Sequence, residues 1–154
     1  MRRELSSLVS LLNLEQKISF AGQVSDEDLQ ALYSACSLFA FPSVARSEAF
    51  GLVQLEAMIA GKPVINTAID SGVPFVSLHE QTGLTVEPAN PEALSHGIQV
   101  LLRNEQLRAQ YGDAARRRVF EVFTTRLMGA QTLDLYRQVM GLQPEESVAA
   151  TSAA

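Results

Sequence analysis

Four short apolar runs, at residues 18–21, 38–41, 63–66 and 84–86, alternate with segments of helical periodicity. That alternation constrains the fold more than any other feature: short apolar strands separated by helices predict a parallel sheet covered on both faces. Before the first run, Leu5, Leu8, Val9 and Leu12 share one face of a helix over 2–12, with Asn13 as its stop. Gly22 ends the first strand, and Ser25 opens a second helix with Asp28 completing a variant capping box; Leu29, Leu32, Tyr33 and Cys36 form its stripe. A nearly all-apolar helix follows from Gly51 to Ala60, with Gly61 as its stop. Residues 67–83 read as loop, with turn signals at Ser71-Gly72 and Gly83. Asn90-Pro91 starts another helix, with Leu94, Ile98, Leu101 and Leu102 facing inward. Two more helices follow. One runs from Glu105 to about Val122, burying Leu107, Tyr111, Ala114, Ala115 and Val122. The last runs from Thr124 or Thr125 to about Met140 and carries Met128, Leu135, Tyr136 and Val139. The expected organisation is one domain over 1–140 and a frayed tail over 141–154.

Bulk properties exclude several classes. A net charge of −5 argues against a general nucleic-acid surface. No apolar run approaches the ~18 residues of a membrane span, and the N-terminus has no cleavage-site pattern. One cysteine, Cys36, rules out an internal disulfide and fits a cytoplasmic compartment. With two histidines and no CxxC or HExxH, no metal site is expected.

The stretch 41–66, FPSVARSEAFGLVQLEAMIAGKPVIN, concentrates the chemistry. A helix apolar all round belongs in an interior, and Glu56 falls on a stripe with Leu52, Leu55 and Ile59. A carboxylate there is either satisfied by a neighbour or placed for a ligand. Glu48 stands just before the helix, at its mouth. Between them, the N–H groups of Ala49, Phe50, Gly51 and Leu52 form a helix N-terminus, which favours anions because its first donors lack internal partners and the dipole is positive there. A carboxylate, an anion cradle and a second carboxylate match a sugar joined to a nucleoside by a diphosphate. In parallel α/β folds ligands lie beyond the carboxyl ends of strands; residues 22–25, 42–51 and 67–74 each follow a predicted strand.

Other side chains admit two readings. Lys62 could reach a phosphate or offset a helix dipole; Arg46 could reach a phosphate or remain a solvated loop charge; Ser43 could bond a ligand or cap a turn. Arg116, Arg117 and Arg118 read as a solvated face. Tyr33, Tyr111 and Cys36 read as core, and His79 and His96 as surface.

SEAFGLVQLEAMIAGKPVI resembles the Glu-x7-Glu signature of the retaining glycosyltransferases of family 4. FAGQVSDEDLQALYSACSLFAFPS, SGVP and TGLTVEPANPEALSHGI resemble its strand–Gly–helix–strand–Pro-Ser run, its Gly-x-Pro loop and its Thr-Gly-Leu strand with the following helix. The resemblance covers the chain from about Ile18 to the last helix. It implies the C-terminal, donor-binding half of a GT-B fold: a Rossmann-like sheet with helices on both faces, truncated at its N-terminus.

By resemblance, Glu48 contacts the donor sugar hydroxyls and is the catalytic candidate, and Glu56 holds the ribose hydroxyls. Ala49, Phe50, Gly51 and Leu52 meet the sugar and diphosphate; Gly22 and Val24 lie beside the base; Ser43 is a further donor contact. No cofactor or metal is implied: the substrate is a UDP- or GDP-linked hexose, and the similarity to polysaccharide mannosyltransferases points to GDP-mannose. The implied partners are the nucleotide sugar and a missing N-terminal acceptor-binding domain, with no nucleic acid. The full enzyme is expected in the cytoplasm, with room for peripheral association at the inner membrane surface. The family's Arg and Lys for the diphosphate have no matching positions here, Ala49 stands where many relatives have Gly or Pro, and Phe75 where many have Glu. The isolated chain is therefore expected not to transfer sugar at a normal rate. The competing readings are a non-catalytic nucleotide-binding fragment or assembly module, and an epimerase of the same two-domain shape.

Overall fold

A computed structural model describes residues 2–142, and the chain divides into two compact units, residues 1–32 and 33–154. The expected tail lies almost wholly outside the described residues.

In the first unit, α1 (Arg2–Leu11) ends as expected at Asn13, which takes φ 54°, a left-handed turn that asparagine tolerates. None of its residues is buried, and Leu5, Leu8, Leu11 and Leu12 are exposed. The expected strand at 18–21 does not form. A strand exists only through a ladder, and this segment joins none; Ile18 and Phe20 are exposed. α2 (Asp26–Ala35) begins as its sequence requires: Asp28 N donates to Ser25 Oγ at 3.1 Å, and Ser25 Oγ donates to the Asp28 carboxylate at 2.8 Å.

The second unit holds a three-stranded parallel sheet, β1 (Phe39–Phe41), β2 (Val64–Thr67) and β3 (Gly83–Val86), in that spatial order. Phe39 pairs with Val64, and Ile65 with Leu84. Alternation along β2 sends Ile65 to one face and Asn66 to the other. Against the Ile65 face packs α5 (Pro91–Arg103): Ile65, Leu101 and Tyr111 are buried there, with Leu84, Val86, Leu94 and Ile98 around them. A Cβ on Gly97 of α5 would come within 3.4 Å of Val86, so the helix seats directly on β3. Against the other face pack α3 (Leu52–Ile59) and α4 (Val73–Val76), both bonded to Asn66. Helices thus cover both faces. α4 replaces part of the expected loop; four residues are too few for periodicity to reveal.

α6 (Glu105–Val122) and α7 (Thr125–Val139) are capped by Asn104 and Thr124. α6 packs on α3 so closely that a Cβ on Gly112 would fall 2.1 Å from Gly61 O. Its buried positions are Tyr111, Gly112, Ala115 and Val119; Val119, not Val122, is the inward valine, because 111, 115 and 119 keep the i, i+4 row. Leu102 is 51% exposed, whereas Leu94, Ile98 and Leu101 of the expected α5 stripe face the core, joined by Gly97. Met128, Leu135, Tyr136 and Val139 of α7 are all exposed.

Candidate functional site

The turn after β1 builds the site. Ser43 N donates to Phe41 O, and Thr67 Oγ1 donates to Ser43 O, so the Pro-Ser turn is tied to β2. Glu48 N donates to Ala45 O at 3.0 Å, closing a turn through Arg46-Ser47. Gly51 takes φ 75° and ψ 64° as the cap of α3, a conformation that favours glycine. Its α-carbon also lies against Phe41, where an added Cβ would sit 2.7 Å from the ring. Gln54 N donates to Gly51 O at 2.9 Å and starts the helix. The N–H groups of Ala49, Phe50, Gly51 and Leu52 donate no hydrogen bond to any described residue. Glu48 is half-buried, and its carboxylate has no partner among the described residues.

Glu56 differs from expectation. It is exposed, as are Leu52 at 67% and Ile59 at 47%. α3 is not apolar all round in its contacts: the buried row is Gln54, Ala57 and Met58, and the stripe shared by Leu52, Leu55, Glu56 and Ile59 looks outward. The buried polar side chain of the helix is therefore Gln54. Its signal was the i, i+3, i+4, i+7 series Gln54, Ala57, Met58, Gly61, in which small residues mark the face that α6 approaches. Glu56 is satisfied on one side by Tyr33, whose hydroxyl donates to Oε2 at 3.0 Å. Burial, then that hydrogen bond and the carboxylate charge, push the Tyr33 phenol up to about 12.

The loop after β2 closes on the same turn. Gly72 N donates to Ala49 O at 2.8 Å, and a Cβ on Gly72 would fall 2.6 Å from that oxygen. Phe50 sits edge-on to Phe123, which also meets Phe75. Arg118 lies 5.2 Å from both ring centres of that pair and donates to Phe75 O and Val76 O at the end of α4. It is thus not the solvated charge its Arg-Arg-Arg context suggested; burial lowers its pKa. Arg46 pairs with Asp70 at the surface at 2.6 Å. Lys62 Nζ donates to Ser34 O at 2.8 Å, placing its charge at the C-terminal end of α2, where a dipole favours it. Tyr111 is core, as expected. Cys36 donates to Tyr33 O, and burial pushes its thiol up. His79 is exposed and accepts the Thr85 N–H.

Ser43, Glu48, Ala49, Phe50, Gly51, Leu52 and Glu56 thus lie along one turn and the first turns of one helix. Gly22, with φ 71°, and half-buried Val24 belong to the first unit, in the segment leading to α2. A separate open groove of about 220 Å³ lies on the α5 face at the strand ends, between Pro42, Thr67, Val86 and Leu94. No helix among the described residues is long and apolar enough to cross a membrane.

Comparison with known proteins adds three findings. The family model for glycosyl transferases group 1 matches residues 1–118. D-rhamnosyltransferase WbpZ of Pseudomonas aeruginosa is 36% identical over 124 residues, 80% of this chain and 32% of the relative; O-antigen chain mannosyltransferase C of Escherichia coli is 33% identical over 123 residues, 80% and 33%. Anabaena Alr3699/HepE, solved in complex with UDP, superposes with a TM-score of 0.80 at 27% identity, covering 88% of this chain and 36% of that one. The chain spans about a third of the length of these relatives.

Proposed function

The chain belongs to the glycosyl transferases group 1 family, and from that premise we propose that it forms the donor-binding part of a retaining, family 4 hexosyltransferase. The observation that carries the reading is the mouth of α3: four backbone N–H groups that have no acceptor among the described residues, between a carboxylate with no partner among them and a second, exposed carboxylate oriented by Tyr33. A nucleoside diphosphate-sugar complements that array. The diphosphate rests on the Ala49–Leu52 amides, where the helix dipole adds to the hydrogen bonds. Glu56, about 6 Å along the axis from Leu52, takes the ribose hydroxyls. Glu48 takes the sugar hydroxyls, and its charge faces the positive character that develops at the anomeric carbon as the diphosphate leaves. The amides stabilise the charge gathering on that leaving group without reorganising, so the reading assigns this work to the backbone and not to a metal. Ser43, on the same turn, completes the donor contacts. Mannose is the hexose we favour, because a mannosyltransferase is among the relatives; a UDP-linked donor is supported by the UDP complex of the structural neighbour.

Calorimetric titration with UDP and GDP tests the proposal. Saturable binding of one nucleotide, weakened about tenfold or more in Glu56→Ala, is expected, since one lost charge-assisted hydrogen bond is of that size. Equal binding by Glu56→Ala would remove Glu56 from the site. Binding without transfer to any acceptor by the full enzyme would favour a nucleotide-binding module.

A further inference from the structure

The buried polar group of α3 is Gln54, and it is fully enclosed. Its Nε2 donates to Phe50 O at 3.0 Å and to Val73 O at 3.3 Å. Its Oε1 accepts from Asn66 Nδ2 at 3.0 Å. Asn66, also fully enclosed, reaches Val73 O at 3.0 Å and Ser77 O at 3.1 Å with the same nitrogen. The network dictates both amide orientations, because an oxygen turned to either place would meet carbonyls. Two hydrogens on Asn66 serve three acceptors, while its buried Oδ1 has no hydrogen-bond partner among the described residues.

Such an arrangement is a costly way to fill space. A buried acceptor left unpaired carries a desolvation penalty, whereas an apolar pair of similar size would carry none. What the amides supply is direction. Gln54 holds the Phe50 carbonyl, and the Phe50–Gly51 peptide plane then orients the Gly51 N–H. The same nitrogen holds Val73 O, one residue past Gly72, whose N–H holds Ala49 O. The turn 49–51 and the loop 72–73 are therefore clamped together twice, and Asn66 anchors the clamp to β2.

We propose that Gln54 and Asn66 are positioning residues of the donor site: their buried amide pair sets the direction of the N–H groups that receive the diphosphate. The inference rests on the donor-site reading above. Neither side chain is assigned a ligand contact; both act through the backbone of 49–51.

Gln54→Met keeps the length and the apolar stem and removes both amide roles, so a space-filling role would survive it. Asn66→Val, well suited to a strand, cuts the pair from its other end and keeps the test independent of one variant's folding. Two measurements are made on the full chain. Amide hydrogen exchange should accelerate about tenfold at Gly72, whose acceptor is on the clamped turn, with α5 amides at the wild-type rate. Affinity for whichever of UDP and GDP the wild type binds should fall about tenfold, with the double variant no worse than the weaker single one, as for residues acting as a unit. Unchanged exchange at Gly72, acceleration of equal size in α5, or wild-type affinity in Gln54→Met overturns the proposal while leaving the donor site standing. A wild type that binds neither nucleotide overturns the donor-site reading itself, and this proposal with it.

Discussion

Tyr33 and Glu56 join a buried phenol to an exposed carboxylate, the one proposed above for the ribose hydroxyls. The phenol is buried, its hydroxyl ends on the exposed carboxylate, and its pKa rises from 10.0 to about 12. The folded state therefore favours the protonated phenol. Its stabilising contribution is complete below pH 10 and is lost as pH rises from there through about 12, where the folded protein also ionises. Tyr33→Phe should flatten the decline of unfolding free energy across that window by about 1–2 kcal/mol, measured by urea titration at pH 8 and pH 11. An equal decline in both proteins would deny Tyr33 that role. Glu56 itself is the residue whose place was misjudged from composition. An apolar neighbourhood in sequence suggested burial, yet Leu52 and Ile59 accompany Glu56 on the outward face. Hydropathy alone cannot tell which face of an all-apolar helix meets the sheet; the small residues opposite, Ala57 and Gly61, could.

At the level of elements, α6 crosses tightly behind the end of α3. Gly112 has no room for a methyl group, since Gly61 O lies 2.1 Å from where its Cβ would be. Backbone cannot yield as a side chain tip does, so Gly112→Ala should cost about 3 kcal/mol or more. Gly129→Ala, in α7 with no atom of the described residues within 4 Å, should instead be neutral or stabilise by up to about 1 kcal/mol. Urea midpoints of the two variants check this; equal shifts would contradict the packing described. Most elements were legible because caps and stops are local chemistry. Ser25, Asn90, Asn104 and Thr124 accept helix N–H groups, and Asn13 and Gly61 turn left-handed after helices. The failures were non-local. Residues 18–21 have strand composition but no ladder, α4 is too short for a period, and Arg118 is drawn from solvent by Phe75, far away in sequence, together with nearby Phe123.

For the molecule as a whole, the sheet order and the helices on both faces follow from the strand–helix alternation, and the family follows from the comparisons. The turn 42–51 and the start of α3 stand where the sequence placed them, with Ser43, Glu48, Ala49, Phe50, Gly51, Leu52 and Glu56 along them; the clamp beneath, Gln54 and Asn66, was missed because neither residue type signals burial, and only the small residues Ala57 and Gly61 on the row of Gln54 marked its face. The central claim is that the amides of residues 49–52 receive the diphosphate. Its most direct measurement is a nitrogen-15 amide spectrum recorded while UDP or GDP is added. The account predicts that the largest shifts fall on Ala49, Phe50, Gly51 and Leu52, with Glu56 next. Shifts confined to the groove between Pro42, Thr67 and Leu94, with residues 49–52 unmoved, would contradict it.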